Sequence, residues 1–313
     1  MPIYKALFAF AAFFISISSL ANENYTEGYI KVDKDIQLFF QKTGTGSQTL
    51  IIPAGFFLYD DFKHLGRDRT VIFYDMRNRG RSSYVKDSTL ITIDKDIEDL
   101  EAVRKHFKLQ KVDLLGWSFL GMMVMLYTQQ HPHHVGKVIQ IGPVPLQWNE
   151  KFPDSLTYKP AIGSDTAYRR VIKAAREAGM EANHPGLFSK LIFDLLQKES
   201  LVGGPGYLNR IGCQWGQHAF YTNEHYANFM RHLRFHFEQS IQNKKYDKAS
   251  FKDLRHPVLT IHGTRDRNAF FGAGKQWTEL LPNSRLVRVE GAGHIPWVEA
   301  PELVFESITR FLK

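Results

Sequence analysis

A single cysteine, Cys213, stands in a chain of 313 residues. One thiol makes no intrachain disulfide and no cysteine-rich metal site, so the fold must hold without covalent staples. A chain of this length buries enough apolar surface to do so. Cys213 lies in "RIGCQWGQ", outside any strand–turn–helix setting, and reads as a buried structural residue rather than a nucleophile. The chain has no HExxH histidine pair, no Walker-type phosphate loop and no dinucleotide-type glycine pattern. No metal and no organic cofactor is therefore implied. Internal repeats and low-complexity tracts are missing too, which sets aside solenoid and disordered architectures.

Acidic charge is also in short supply. Forty Lys and Arg face 32 Asp and Glu, a formal net charge of +8. Such a balance can serve an anionic surface or a nucleic acid. The basic residues are scattered, however, and the densest groups (Arg77, Arg79, Arg81 and Arg231, His232, Arg234) are short and lie beside apolar and aromatic residues. A diffuse positive surface reads as solvated, so no nucleic-acid partner is expected. Long apolar runs are confined to the N-terminus. "MPIYKALFAFAAFFISISSLANENY" carries one cation, Lys5, an apolar run from Ala6 to Leu20, and small residues at Ser19 and Ala21. This is a secretory signal pattern over residues 1–21, with cleavage near Ala21. The run is short for a membrane span. The expectation is an exported protein, periplasmic or extracellular, with no stable membrane insertion once the signal is removed; an uncleaved anchor is the alternative.

What is present is an alternation of short apolar strands with helices. Strands are predicted over 28–33, 36–42, 49–53, 70–75, 111–116 and 135–142, and again over 257–263 and 284–291. Between them, Ile93, Ile97, Leu100, Val103 and Phe107 recur at helical spacing, and 119–130 reads as a largely apolar helix. A further amphipathic stretch spans Gly274 to Leu281, and a last helix runs from Pro301 to Leu312. This pattern predicts an α/β fold, a mostly parallel sheet covered on both faces. It breaks at Gly142-Pro143 and resumes near Arg255. The expected organisation is a core of 22–143 and 256–313 with a largely helical cap, 144–255, inserted between them.

In open α/β sheets, function gathers beyond the carboxyl ends of the strands. "KVDLLG" is followed by Trp117-Ser118, "PVLTIHG" by Thr264-Arg265-Asp266, and "SRLVRVEG" by Ala292-Gly293-His294. Taken singly, each has an ordinary reading: Ser118 as a helix cap, Asp266 as a turn acid, His294 as a packing residue. Their joint placement at three strand ends, in the order Ser, Asp, His, points to nucleophilic catalysis. A serine hydroxyl needs a base to take its proton. His294 fits that role and Asp266 would orient the imidazole. Backbone N–H groups are needed for the oxyanion, and the candidates are Phe119, after the serine, and Phe56, after Ala54-Gly55.

Here the chain resembles the α/β-hydrolase superfamily, from Gly28 to Lys313 outside the cap. The resemblance rests on "IIPAGF", "YDMRNRGRSS", "LLGWSFLG", "HGTRDRN" and "GAGHIPWVEAPE". It implies a serine hydrolase with a triad of Ser118, Asp266 and His294. Two departures stand out. Leu120 replaces the second glycine of the G-x-S-x-G elbow, with Gly121 one place late, and Pro53-Ala54-Gly55 stands where relatives have His-Gly. "DIEDLEAVRKHFKLQKVDLLGWS" is similar to prolyl aminopeptidases, yet that type carries a His-Gly-Gly-Pro-Gly stretch where this chain has "PAGFF". Such peptidases hold a free amine with acidic cap residues, for which Glu181, Asp194, Glu199 and Glu224 are available. Phe57 and Trp117 beside the elbow, with Trp215 among the cap aromatics, are expected to bind substrate. The small-molecule substrate expected is an ester of a small or medium hydrophobic acid. The alternatives are a prolyl aminopeptidase-like amidase and a hydrolase-fold binding protein that has lost turnover.

Overall fold

The computed structural model describes residues 25–147, 149–158, 165–184 and 245–313, with isolated positions between 187 and 242. The described residues begin with an antiparallel hairpin of β1 (Thr26–Asp33) and β2 (Ile36–Thr43), β1 forming one edge of the sheet. β2 then pairs antiparallel with β4 (Thr70–Tyr74). All the other ladders are parallel. β3 (Thr49–Pro53) lies between β4 and β5 (Val112–Trp117), and β6 (Val135–Ile141), β7 (Val258–Gly263) and β8 (Ser284–Val289) follow. The sheet has eight strands in the order β1-β2-β4-β3-β5-β6-β7-β8.

The sequence explains which strands sit in the middle. Every residue of β3, β4 and β7 is buried. Successive side chains on a strand point to opposite faces, so both faces of the central sheet are covered. β1 is mostly exposed, with Ile30 its one buried residue, as suits an edge. Helices supply the cover. α1 (Gly55–Phe62) follows β3, α2 (Ile93–His106) follows β4, and α3 (Phe119–Gln130) follows β5. α2 begins where the side chain of Thr92 accepts from the Lys95 N–H, carries Asp94 and Asp96 in its first turn, and has Arg104, Lys105 and His106 in its last. Each end thus complements the helix dipole. α3 is buried from Leu120 through Thr128, which is why its apolar residues show no helical stripe.

Most of the 144–255 interval lies outside the described residues. Within it, α4 (Asp165–Glu177) and α5 (Met180–Asn183) are described, and Ile172, Ala175 and Phe188 form a small cluster of their own. The flanks behave differently: Val144, Leu146, Phe251 and Leu254 join the main core. After β7 come α6 (Phe271–Leu280), α7 (Pro296–Glu299) and α8 (Pro301–Leu312). α6 starts three residues before the apolar spacing predicted. Among the described residues no helix is long and apolar enough to cross a membrane.

Candidate active site

Ser118 sits between β5 and α3 with φ 57° and ψ −128°, a conformation that disfavours any residue but glycine. Local sterics create the turn. A side chain at Gly116 would place its Cβ 2.2 Å from the Leu120 carbonyl oxygen, so the strand and helix backbones approach closely at that position. Leu120 meets no such constraint. It is buried in the main core, and Gly121 is the residue that packs against Pro143. The close approach needs the glycine before the serine and not the one after it. Buried polar groups brace the turn from below: Gln140 Nε2 donates to the Gly121 carbonyl at 2.9 Å and Thr260 Oγ1 donates to Gln140 Oε1 at 3.1 Å.

The structure brings the three strand-end residues together. His294 Nε2 lies 2.9 Å from Ser118 Oγ, and His294 Nδ1 lies 2.7 Å from Asp266 Oδ2. These residues are 176 and 28 positions apart. Asp266 is fully buried, and its Oδ1 accepts from the N–H groups of Asn268 and Ala269, each at 2.9 Å. Burial alone would push this carboxyl up. The adjacent His294 and the hydrogen bonds from His262 and His294 outweigh it and hold the group well below the ordinary carboxylate range. Chemically, a hydroxyl, an imidazole and an ionised carboxylate stand in series, with Asp266 able to hold the Nδ1–H tautomer of His294.

The aromatic residues around the elbow pack against one another. Phe57 is buried and stacks on Trp117, ring centroids 4.6 Å apart and planes within 2°. It therefore packs against the residue that precedes the elbow serine. Trp117 is partly exposed, and its Nε1–H donates to the His294 carbonyl at 2.9 Å. It tethers the histidine loop to the elbow. Trp297 stands edge-on to Trp117 and gives its indole N–H to Asp61. On the other side of the histidine, Glu299 Oε2 accepts from the Gly293 N–H at 2.6 Å. Burial, and then the charge of Asp266, push the Glu299 carboxyl up. Trp215 lies outside the described residues, as do Asp194, Glu199 and Glu224. Glu181 is exposed and pairs with Arg176.

The oxyanion expectation divides. Phe119 opens α3 directly after Ser118, where first-turn N–H groups point out of the helix end. The Phe56 N–H donates to Asp75 Oδ1 at 2.6 Å. It is committed to a carboxylate, which corrects the expectation that it stands ready for an oxyanion. Two features of the chain produce this. Ala54 takes a left-handed conformation (φ 68°, ψ 49°) and α1 begins at once, with Ala54 C=O accepting from Phe57 and Leu58. Asp75 leaves β4 beside that helix start and also accepts from the Arg81 N–H at 2.8 Å. Burial pushes the Asp75 carboxyl up to about 6 despite these two donors. Arginines of the "YDMRNRGRSS" loop pair outward: Arg77 makes two bonds to Asp99 of α2, at 2.6 and 2.7 Å, and Arg81 reaches Glu27 of β1. No group of three or more His, Cys, Asp or Glu that could hold a metal occurs among the described residues.

Sequence reasoning missed one polar residue of the site. His262, on β7, is fully buried, and its Nε2 lies 3.2 Å from Asp266 Oδ2 and 2.7 Å from the Ala269 carbonyl. The available signal was a histidine in an otherwise apolar central strand, four residues before the acid.

Sheet order, elbow and the Ser118–His294–Asp266 series together define the class: a hydrolase built on the α/β-hydrolase fold. The family model for the α/β hydrolase fold matches residues 59–301, and the chain belongs to that family. Among curated proteins it is similar to a proline iminopeptidase of Heyndrickxia coagulans, 27% identical over 302 residues that cover 92% of this chain and 99% of that protein. It is also similar to a putative esterase/lipase of Haemophilus influenzae, 23% identical over 318 residues, 98% of this chain and 99% of that protein. Among solved structures, a 2-hydroxy-6-oxo-6-phenylhexa-2,4-dienoate hydrolase from a Rhodococcus strain superposes with a TM-score of 0.70 at 16% identity, covering 93% and 99% of the two chains. That likeness is one of fold.

Proposed function

We propose that this protein is a serine hydrolase that cleaves an ester of a small or medium hydrophobic carboxylic acid through an acyl-enzyme. The observation that carries the reading is the unbroken series of 2.9 and 2.7 Å contacts from Ser118 through His294 to a buried Asp266. His294 takes the Ser118 proton as Oγ attacks the carbonyl carbon. The imidazolium so formed is stabilised by Asp266, then returns the proton to the leaving alcohol. Water repeats the cycle with the acyl group, releasing acid and restoring Ser118. The Phe119 N–H contributes one oxyanion donor. Phe56 contributes a second only when its bond to Asp75 yields. The expected export signal over residues 1–21 belongs to this reading: the enzyme works outside the cytoplasm, on small molecules, with the segment between 144 and 255 as its cap.

A second reading, an amidase of the prolyl aminopeptidase type, is supported by the nearly full-length similarity to a proline iminopeptidase. The ester reading is preferred because "PAGFF" lacks the His-Gly-Gly-Pro-Gly stretch of that type. A fluorophosphonate probe followed by a panel of p-nitrophenyl esters and amino-acid arylamides tests both. Covalent labelling of the wild type and not of Ser118→Ala, with ester turnover, is the expected result. Arylamide turnover without ester turnover overturns the ester reading. Absence of labelling in folded protein favours a binding protein without turnover.

A further inference from the structure

The serine-hydrolase reading uses three side chains, but a fourth is built into the same charge series. His262 and His294 approach one oxygen of Asp266 from two different strand ends. The proton on His262 can be placed. Its Nε2 faces the Asp266 carboxylate at 3.2 Å and the Ala269 carbonyl at 2.7 Å, and both of these groups only accept. Nε2 must therefore carry a hydrogen, bonded to the Ala269 carbonyl and close to Asp266 Oδ2. With the Asn268 and Ala269 N–H groups on Oδ1, Asp266 then faces four donor groups, two at each oxygen. The ring has close neighbours on two sides. Phe271 stands edge-on to it, and a Cβ added at Gly274 of α6 would lie 2.4 Å from its Nδ1.

The geometry points to His262 as a positioning residue of the triad, one that rests on the reading above. Its Nε2–H pins the carboxylate oxygen that His294 uses and takes a share of that oxygen's negative charge. An acid held by the Asn268 and Ala269 amides alone is held at Oδ1 and can pivot; the His262 bond fixes Oδ2. It also weakens the pull of Asp266 on a protonated His294, because a carboxylate that already serves another donor stabilises the next one less. The groups that face this series are His262 on β7, His294 after β8 and Glu299 on α7.

The test is the pH dependence of fluorophosphonate labelling, measured on the whole protein in the wild type and four variants. His262→Gln keeps an amide N–H near the position of Nε2. His262→Asn and His262→Leu withdraw it. Gly274→Ala leaves the imidazole in place chemically and pushes the ring aside. In His262→Asn, His262→Leu and Gly274→Ala, the pH of half-maximal labelling is expected to rise by roughly half a unit to one unit. In His262→Gln it stays at the wild-type value. An unchanged half-maximal pH in folded variants, with wild-type labelling intact, overturns the positioning role. So does the same shift in His262→Gln as in His262→Asn, which would mean a steric role only. Absence of wild-type labelling at every pH overturns the serine-hydrolase reading, and this one with it.

Discussion

Two strand ends in this protein are built alike and used differently. β3 and β5 both run into a residue with positive φ, Ala54 at 68° and Ser118 at 57°, and both continue at once as a helix. Each turn stores strain on the order of 1–3 kcal/mol. At β5 the stored conformation projects a hydroxyl toward an imidazole. At β3 it presents a backbone N–H, and a buried carboxylate has taken it. A strand–turn–helix unit thus supplies a geometry, and the loop that faces it decides whether that geometry serves chemistry or structure. His294 comes from the loop after β8 and Asp75 from the loop after β4.

The sharpest way to break the comparison is to empty the β5 turn. Ser118→Ala, and likewise His294→Gln, should lower p-nitrophenyl ester turnover on the order of 10⁴-fold or more without moving the melting temperature. Next comes the packing of the turn itself. Gly116→Ala puts a methyl into backbone and should cut activity on the order of 100-fold, because a small displacement of the nucleophile is enough. Leu120→Gly should leave the elbow working and instead cost roughly 3–5 kcal/mol of stability, since it empties a buried core position and adds a flexible residue to a helix. Denaturant unfolding and esterase assays on the same two variants separate the effects; equal behaviour would mean that the elbow depends on position 120 after all.

The β3 turn is probed through pH. Asp75 has its carboxyl raised from 3.8 to about 6 in the folded protein. A raised acid binds its proton more tightly when folded, so its stabilising contribution is present below about pH 4 and is lost as pH rises through about 6. Asp75→Asn cannot ionise and lacks that loss. The stability difference between the two proteins should therefore shift by up to roughly 3 kcal/mol in favour of the variant between about pH 4 and 7. Parallel unfolding curves across this range would show that the Phe56 and Arg81 donors fully offset burial. The smallest effect belongs to the tether between elbow and histidine loop. Trp117→Phe keeps the stack on Phe57 and loses the bond to the His294 carbonyl, at a cost of about 1 kcal/mol and a few-fold drop in kcat.

Much of this was legible in the chain. Strands β3 and β4 are continuous apolar runs because both faces are buried, and such runs announce themselves. The boundaries of α3 and α8 read correctly because a turn or a proline marks each start. α1 was missed because "GFFLYDDF" shows the apolar cluster of a short strand, and its start depends on a left-handed Ala54 that no propensity favours. Phe57 reads as a site residue by its neighbours in sequence, and only the fold shows its stack on Trp117. His262 was hidden because a histidine in an apolar strand has an ordinary core reading, and only a contact four residues away distinguishes it.

By itself the sequence determined the order of strands and helices, the glycine that the elbow requires, and the three residues placed at the ends of β5, β7 and β8. These depend on short-range sterics and on the period of apolar residues, which neighbours in the chain carry. The tertiary structure alone decided which polar groups meet. Whether Phe56 offers its N–H or gives it to Asp75, and whether Asp266 serves one histidine or two, depends on loops brought together from distant positions. Buried donors and acceptors must find partners, and the partners are set by packing rather than by sequence order.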